Sequence, residues 1–91
     1  MKPADAQMNA NWVVYILRCR DNTFYTGITN NMAQRLLKHN QGDASKYTRS
    51  RLPVELLAVS RRLSRAEALR LEIKIKKLPR SKKLAALAAE K

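Results

Sequence analysis

The stretch from Trp12 to Cys19, WVVYILRC, constrains the fold more than any other part of this chain. It is β-branched, aromatic and aliphatic apart from Arg18, so it reads as a strand. It also lacks the apolar and polar alternation of a strand with one wet face, and its nearly continuous apolar character predicts burial on both sides. Turn residues follow at Arg20 to Thr23 (RDNT), and strand character resumes at Phe24 to Thr29 (FYTGIT). The two strands read as an antiparallel hairpin. Gly27 interrupts the second strand, which marks either a bulge or a place where backbone or ligand comes close.

The rest of the chain supplies what can cover such a hairpin. Asn30 or Asn31 is a good N-cap for a helix running to about His39 or Asn40, with Gly42 just past its end. Gln41 to Pro53 is a polar loop, and Val54 to Ser60 (VELLAVS) a third strand. Ser64 caps a helix to about Leu78, with Glu67 completing a capping-box pattern. Pro79 stops it, and Ser81 to Glu90 forms a short last helix. The order β-β-α-β-α-α predicts an α+β fold, a small three-stranded antiparallel sheet flanked by helices. Residues 12–91 are expected to form one domain, since 91 residues are too few for two cores. Met1 to Asn11 reads as a flexible polar lead-in without the apolar segment of a secretory signal.

Charge narrows the function. Lys and Arg number 19 against seven acids, a net charge of +12. A domain this basic calls for a polyanionic partner, and nucleic acid is the expected one. No apolar run is long enough for a membrane span, and the basic helices lack the Trp and Phe of interfacial helices. The single cysteine, Cys19, excludes an internal disulfide and a multi-cysteine zinc site, which points to a reducing, cytoplasmic setting.

The basic residues are concentrated from Arg61 to Lys83, where ten cations stand beside only Glu67 and Glu72. On a helical wheel of about 100° per residue, Glu72 falls inside an apolar arc flanked by Leu71, Ile75 and Leu78 on one side and Ala66, Leu69 and Ile73 on the other. A carboxylate aimed at the core side needs a positive partner. That partner is either a neighbouring Arg or Lys in a structural ion pair, or a metal ion in a cleft; the wheel does not choose. Arg35 and His39 are four apart on the first helix and share a face, so the pair could hold phosphate oxygens. Tyr15 and Tyr25 sit on paired strands, where a shared register could bring their hydroxyls together. The loop residues Lys46, Tyr47, Thr48, Arg49 and Arg51 mix cations, hydroxyls and an aromatic ring, a combination suited to phosphates and base stacking.

Taken together these residues resemble the GIY-YIG nuclease family. Val14-Tyr15-Ile16 and, ten positions after Tyr15, Tyr25-Thr26-Gly27 are similar to its two tripeptides. Arg35, His39 and Glu72 fall where the family carries its arginine, histidine and metal-binding glutamate. The resemblance covers about residues 12 to 80 and is nearest to small stand-alone bacterial members. Two departures are visible. Val13-Val14 replaces Gly-Ile and Thr26 replaces Ile, and Lys76-Lys77-Leu78-Pro79-Arg80 holds no Asn where larger members often have one.

The resemblance implies a divalent-metal-dependent endonuclease of low sequence specificity, acting on nucleic acid with DNA ahead of RNA. Glu72 would bind Mg²⁺ or Mn²⁺. Tyr15 or Tyr25 would position or deprotonate the attacking water, Arg35 would neutralise charge on the phosphate, and His39 would act as a hydrogen-bond partner or proton relay. Lys76, Lys77 and Arg80 join the loop residues as expected nucleic-acid contacts. The alternatives are a non-catalytic nucleic-acid-binding module, or a basic subunit of a repair or RNA-processing assembly with a protein partner.

Overall fold

In the computed structural model, which describes residues 10–90, the apolar strand is the middle one. β1 (Val13–Arg18) lies between β2 (Phe24–Thr29) and β3 (Glu55–Val59), antiparallel to both, in the order β2-β1-β3. Val14, Tyr15, Ile16 and Leu17 are all buried because helices cover the sheet on both sides. The hairpin turn closes through Asn22 in the left-handed region (φ 68°), where asparagine is tolerated. The Asp21 carboxylate accepts from the Thr23 backbone N–H (3.1 Å) and hydroxyl (2.6 Å). Pairing of β1 with β3 slips between Ile16 and Leu17, a bulge that leaves Leu57 without a partner in the register.

α1 (Met32–Asn40) starts at Asn31, whose side chain accepts from the Gln34 N–H at 3.2 Å. It ends before Gly42 (φ 83°). The Asn40 amide then clamps both backbone groups of Val54, at 2.8 and 3.1 Å, and ties this helix to the entry of β3. The polar loop holds one element that periodicity did not predict, the single-turn helix α2 (Lys46–Arg49). Four residues are too few for a periodic pattern, although its cap, Ser45, is a helix-start residue. α3 (Arg65–Lys76) carries the expected capping box of Ser64 and Glu67, and α4 (Arg80–Ala88) follows Pro79. The expected lead-in falls at residues 1–9 outside the described part of the chain.

Period-two alternation sorts the sheet into two faces. Val14 and Ile16 meet Leu63, Ala68, Leu71, Ile75 and Leu87 under α3 and α4. Tyr15, Leu17 and Cys19 meet Val54, with Tyr25, Met32 and Leu36 packed against them on the α1 side. The apolar arc of α3 is narrower than the wheel implied: Ala68, Leu71 and Ile75 are buried, but Ala66 is exposed and Ile73 is 53% exposed. Glu72 therefore sits at the edge of the buried stripe.

Candidate active site

Tyr15 pairs with Gly27 across the hairpin, and its ring lies over that residue. A Cβ at position 27 would come within 2.5 Å of the Tyr15 hydroxyl oxygen and 2.7 Å of Cζ. The glycine that interrupts β2 is there for space; the close approach is made by a tyrosine ring of the chain itself. Tyr25 stands opposite Leu17, so the tyrosines are diagonal neighbours on one face, with ring centroids 6.3 Å apart. Tyr15 is buried. Tyr25 is half-buried and reaches a groove at the β2 edge.

His39 rises from α1 beneath both rings, 5.7 Å from Tyr15 and 5.2 Å from Tyr25 between centroids. Its Nε2 is 2.8 Å from the Tyr15 hydroxyl and its Nδ1 2.9 Å from the Thr48 hydroxyl. With a partner at each nitrogen, the ring tolerates burial, and only 1% of it is exposed. The expectation that Arg35 and His39 together face a phosphate is corrected accordingly. They share a helix side, but His39 points into the protein while Arg35 stays half-buried beside it. Thr48 is corrected in the same way. It is fully buried and committed to His39, so its hydroxyl does not face a nucleic acid.

These surroundings set the proton affinities. Burial pushes the Tyr15 phenol far above the ordinary tyrosine range; the neighbouring Tyr25 and Glu72 act in the same direction and Arg35 against it. Burial, and then the Arg35 cation, hold His39 below its ordinary value, so it is neutral near pH 7.

Glu72 approaches from the other side of the sheet. α3 packs across β1 and β2, and β2 is an edge strand, so the two faces meet along its outer side. The Glu72 side chain is 17% exposed, with Oε2 3.4 Å from the Lys76 Nζ one turn on. A groove of about 390 Å³, lined by Phe24, Tyr25, Thr26, Tyr47, Lys76 and Lys83, is connected to Glu72 through the shared Lys76. Tyr47, 38% exposed, stacks on Tyr25 at 6.0 Å, and the Arg51 guanidinium covers the Tyr47 ring at 4.0 Å.

The expected nucleic-acid contacts divide. Lys46, Arg49 and Lys77 are exposed. Arg51 is engaged internally, donating to Asp21 (3.0 Å) and to the Tyr47 carbonyl (2.7 Å). Arg80 is exposed but lies over the Phe24 ring at 4.2 Å. Lys83 was not expected in the site. Its ammonium donates to the Ile75 carbonyl (2.8 Å), closing the end of α3 at the groove, and burial with nearby Lys76 lowers its proton affinity. No periodicity could have found it, because the turn between α3 and α4 alone brings it there.

A family model described as the GIY-YIG catalytic domain matches residues 11–85. A UPF0213 protein of Oceanobacillus iheyensis is 49% identical over 77 residues, 85% of this chain and 90% of that protein. One from Natronomonas pharaonis is 45% identical over 91% of this chain and 98% of its own length. The solution structure of a UPF0213 protein from Bacillus halodurans is 40% identical, with a TM-score of 0.53 over 87% of this chain and 84% of that one. The solution structure of a protein from E. faecalis is 37% identical, with a TM-score of 0.58 over 85% and 82%.

Proposed function

We propose, from the premise that this chain belongs to the GIY-YIG nuclease family, that it is a divalent-metal-dependent endonuclease hydrolysing phosphodiester bonds, DNA ahead of RNA. The observation that carries this reading is the cluster of Tyr15, Tyr25 and His39 on one face of the sheet beside the β2 edge, with Arg35 one turn before His39 on α1 and Glu72 on the helix that packs on β1 and β2 from the other face. A structural core has no need to gather two phenols and an imidazole behind an open groove lined by one of those phenols.

The metal has a fitting but sparse donor set. Among the described residues no group of three or more His, Cys, Asp or Glu side chains could cage an ion. Glu72 alone offers a hard oxygen donor at the rim, which suits Mg²⁺ or Mn²⁺ with a largely aqueous shell. Glu72 would hold the ion, which when bound supplies Lewis acidity at the phosphate. The chain's own residues do the rest. Tyr25, open to the groove, positions the attacking water. Tyr15 stands behind it as a protonated phenol, and neutral His39, 2.8 Å away, offers a lone pair to receive a proton through it. Arg35 neutralises charge developing on the phosphate. The exposed Lys46, Arg49, Lys76 and Lys77 meet the backbone rather than base edges, which gives low sequence specificity. A cytoplasmic location, and recruitment by a protein partner for repair or RNA processing, are part of the same proposal.

A second reading is supported by the Lys76 ammonium beside Glu72, which gives that carboxylate a use as an ion pair in a non-catalytic nucleic-acid-binding module. One assay separates the two. Single- and double-stranded DNA and RNA are offered with Mg²⁺ or Mn²⁺ to the wild type and to Glu72→Ala. Cleavage is expected to fall at least about 100-fold in the variant. If nothing is cut, or both proteins cut equally, the endonuclease reading fails. Salt-sensitive binding alone would then favour the second reading.

A further inference from the structure

The contacts of His39 continue past Tyr15 into the single-turn helix. Its Nδ1 lies 2.9 Å from the Thr48 Oγ1, which lies 3.3 Å from the backbone oxygen of Ser45. A carbonyl can only accept, so the Thr48 hydroxyl donates to Ser45 and its oxygen is left to accept from an Nδ1–H. With that proton on Nδ1, the neutral imidazole carries its lone pair on Nε2, where the Tyr15 hydroxyl donates at 2.8 Å. Three buried protons then meet three acceptors.

The opposite tautomer breaks this chain. An Nε2–H would donate to the Tyr15 oxygen, and Thr48 would turn its proton toward Nδ1. The Tyr15 phenol proton would then have no hydrogen-bond acceptor among the described residues, in a side chain that is almost wholly buried. Which imidazole nitrogen is protonated follows from the partner of the other, and here that partner is a hydroxyl held in place. The Ser45 hydroxyl accepts from the Tyr47 N–H (3.1 Å) and Thr48 N–H (3.4 Å), fixing the turn that presents Thr48.

We propose that Thr48 is a positioning residue whose hydroxyl locks His39 in the Nδ1–H tautomer, keeping Nε2 free to take the Tyr15 proton. This rests on the reading that Tyr15 and His39 serve phosphodiester hydrolysis. The lock itself is measurable without any substrate. His39 is the sole histidine in the sequence, so its ring nitrogens are unambiguous in ¹⁵N NMR of the full chain.

At neutral pH the wild type is expected to show a pyrrole-like Nδ1 and a pyridine-like Nε2. Thr48→Ser, which keeps the hydroxyl, should retain that pattern. Thr48→Val, nearly the same shape without the acceptor, should mix the tautomers and slow cleavage by about 10- to 100-fold. A wild-type ring protonated on Nε2 overturns the proposal, as does a Thr48→Val ring with the wild-type pattern. Should Thr48→Val fail to fold, the wild-type and Thr48→Ser spectra decide. If the tautomers behave as expected but wild type cuts no nucleic acid, the hydrolytic reading falls and the lock stands.

Discussion

The two faces of one small sheet are built on different physics. Under α3 and α4, the side chains of Val14, Ile16, Leu71, Ile75 and Leu87 pack into one apolar cluster, and their stabilisation is the non-directional one of removing hydrocarbon from water. Under α1 and α2 the buried side chains include Tyr15, His39 and Thr48, each tolerable only because a specific atom answers its polar group. The first face accepts any well-shaped hydrocarbon; the second accepts only one arrangement of donors and acceptors. The proposed chemistry uses the face where partners are specific, and Glu72 sits at the margin of the apolar one.

Substitutions can break this contrast, and the largest effect belongs to the apolar face. Ile75→Ala should cost about 2–5 kcal/mol, read from urea unfolding, because the cavity beneath α3 cannot fully collapse. The ¹⁵N pattern of His39 should survive in the protein that remains folded; a change there would mean that the faces are not independent. Gly27→Ala comes next, at about 1–3 kcal/mol, since its methyl would meet the Tyr15 ring. Adding Tyr15→Phe should recover only part of the loss, because Cζ would still lie 2.7 Å from the new carbon. Full additivity of the two changes would contradict the contact.

The subtlest effect is in pH. The folded protein holds His39 below its ordinary affinity, whereas the unfolded chain titrates near about pH 6.5. As pH falls through that value the unfolded chain takes up a proton that the folded one refuses, so stability is full at pH 7 and declines toward pH 5. Urea midpoints at the two pH values should show this decline in wild type and flatten in His39→Gln. An equal slope in both would show that the single histidine is not responsible.

The sequence alone delivered the hairpin, the capped helices, the polyanion-seeking charge and the oddity of Glu72. Each is written in local periodicity, in a capping residue, or in composition. At Gly27 it left open a bulge or a close approach of backbone or ligand, whereas the neighbour is the Tyr15 ring. The single-turn helix at Lys46–Arg49 escaped it because one turn has no period, and Lys83 because its place depends on the angle between two helices. The largest difference concerns His39 and Thr48. From sequence, one shares a helix face with Arg35 and the other is a polar loop residue suited to phosphate contact. In the fold they bond each other at 2.9 Å in the interior, nine positions apart. Periodicity records which side of an element avoids water; it holds no record of which buried donor will find which acceptor. That pairing is settled only when α1, α2 and the β1–β2 hairpin close on one another, and it makes Tyr15 a phenol with somewhere to send its proton.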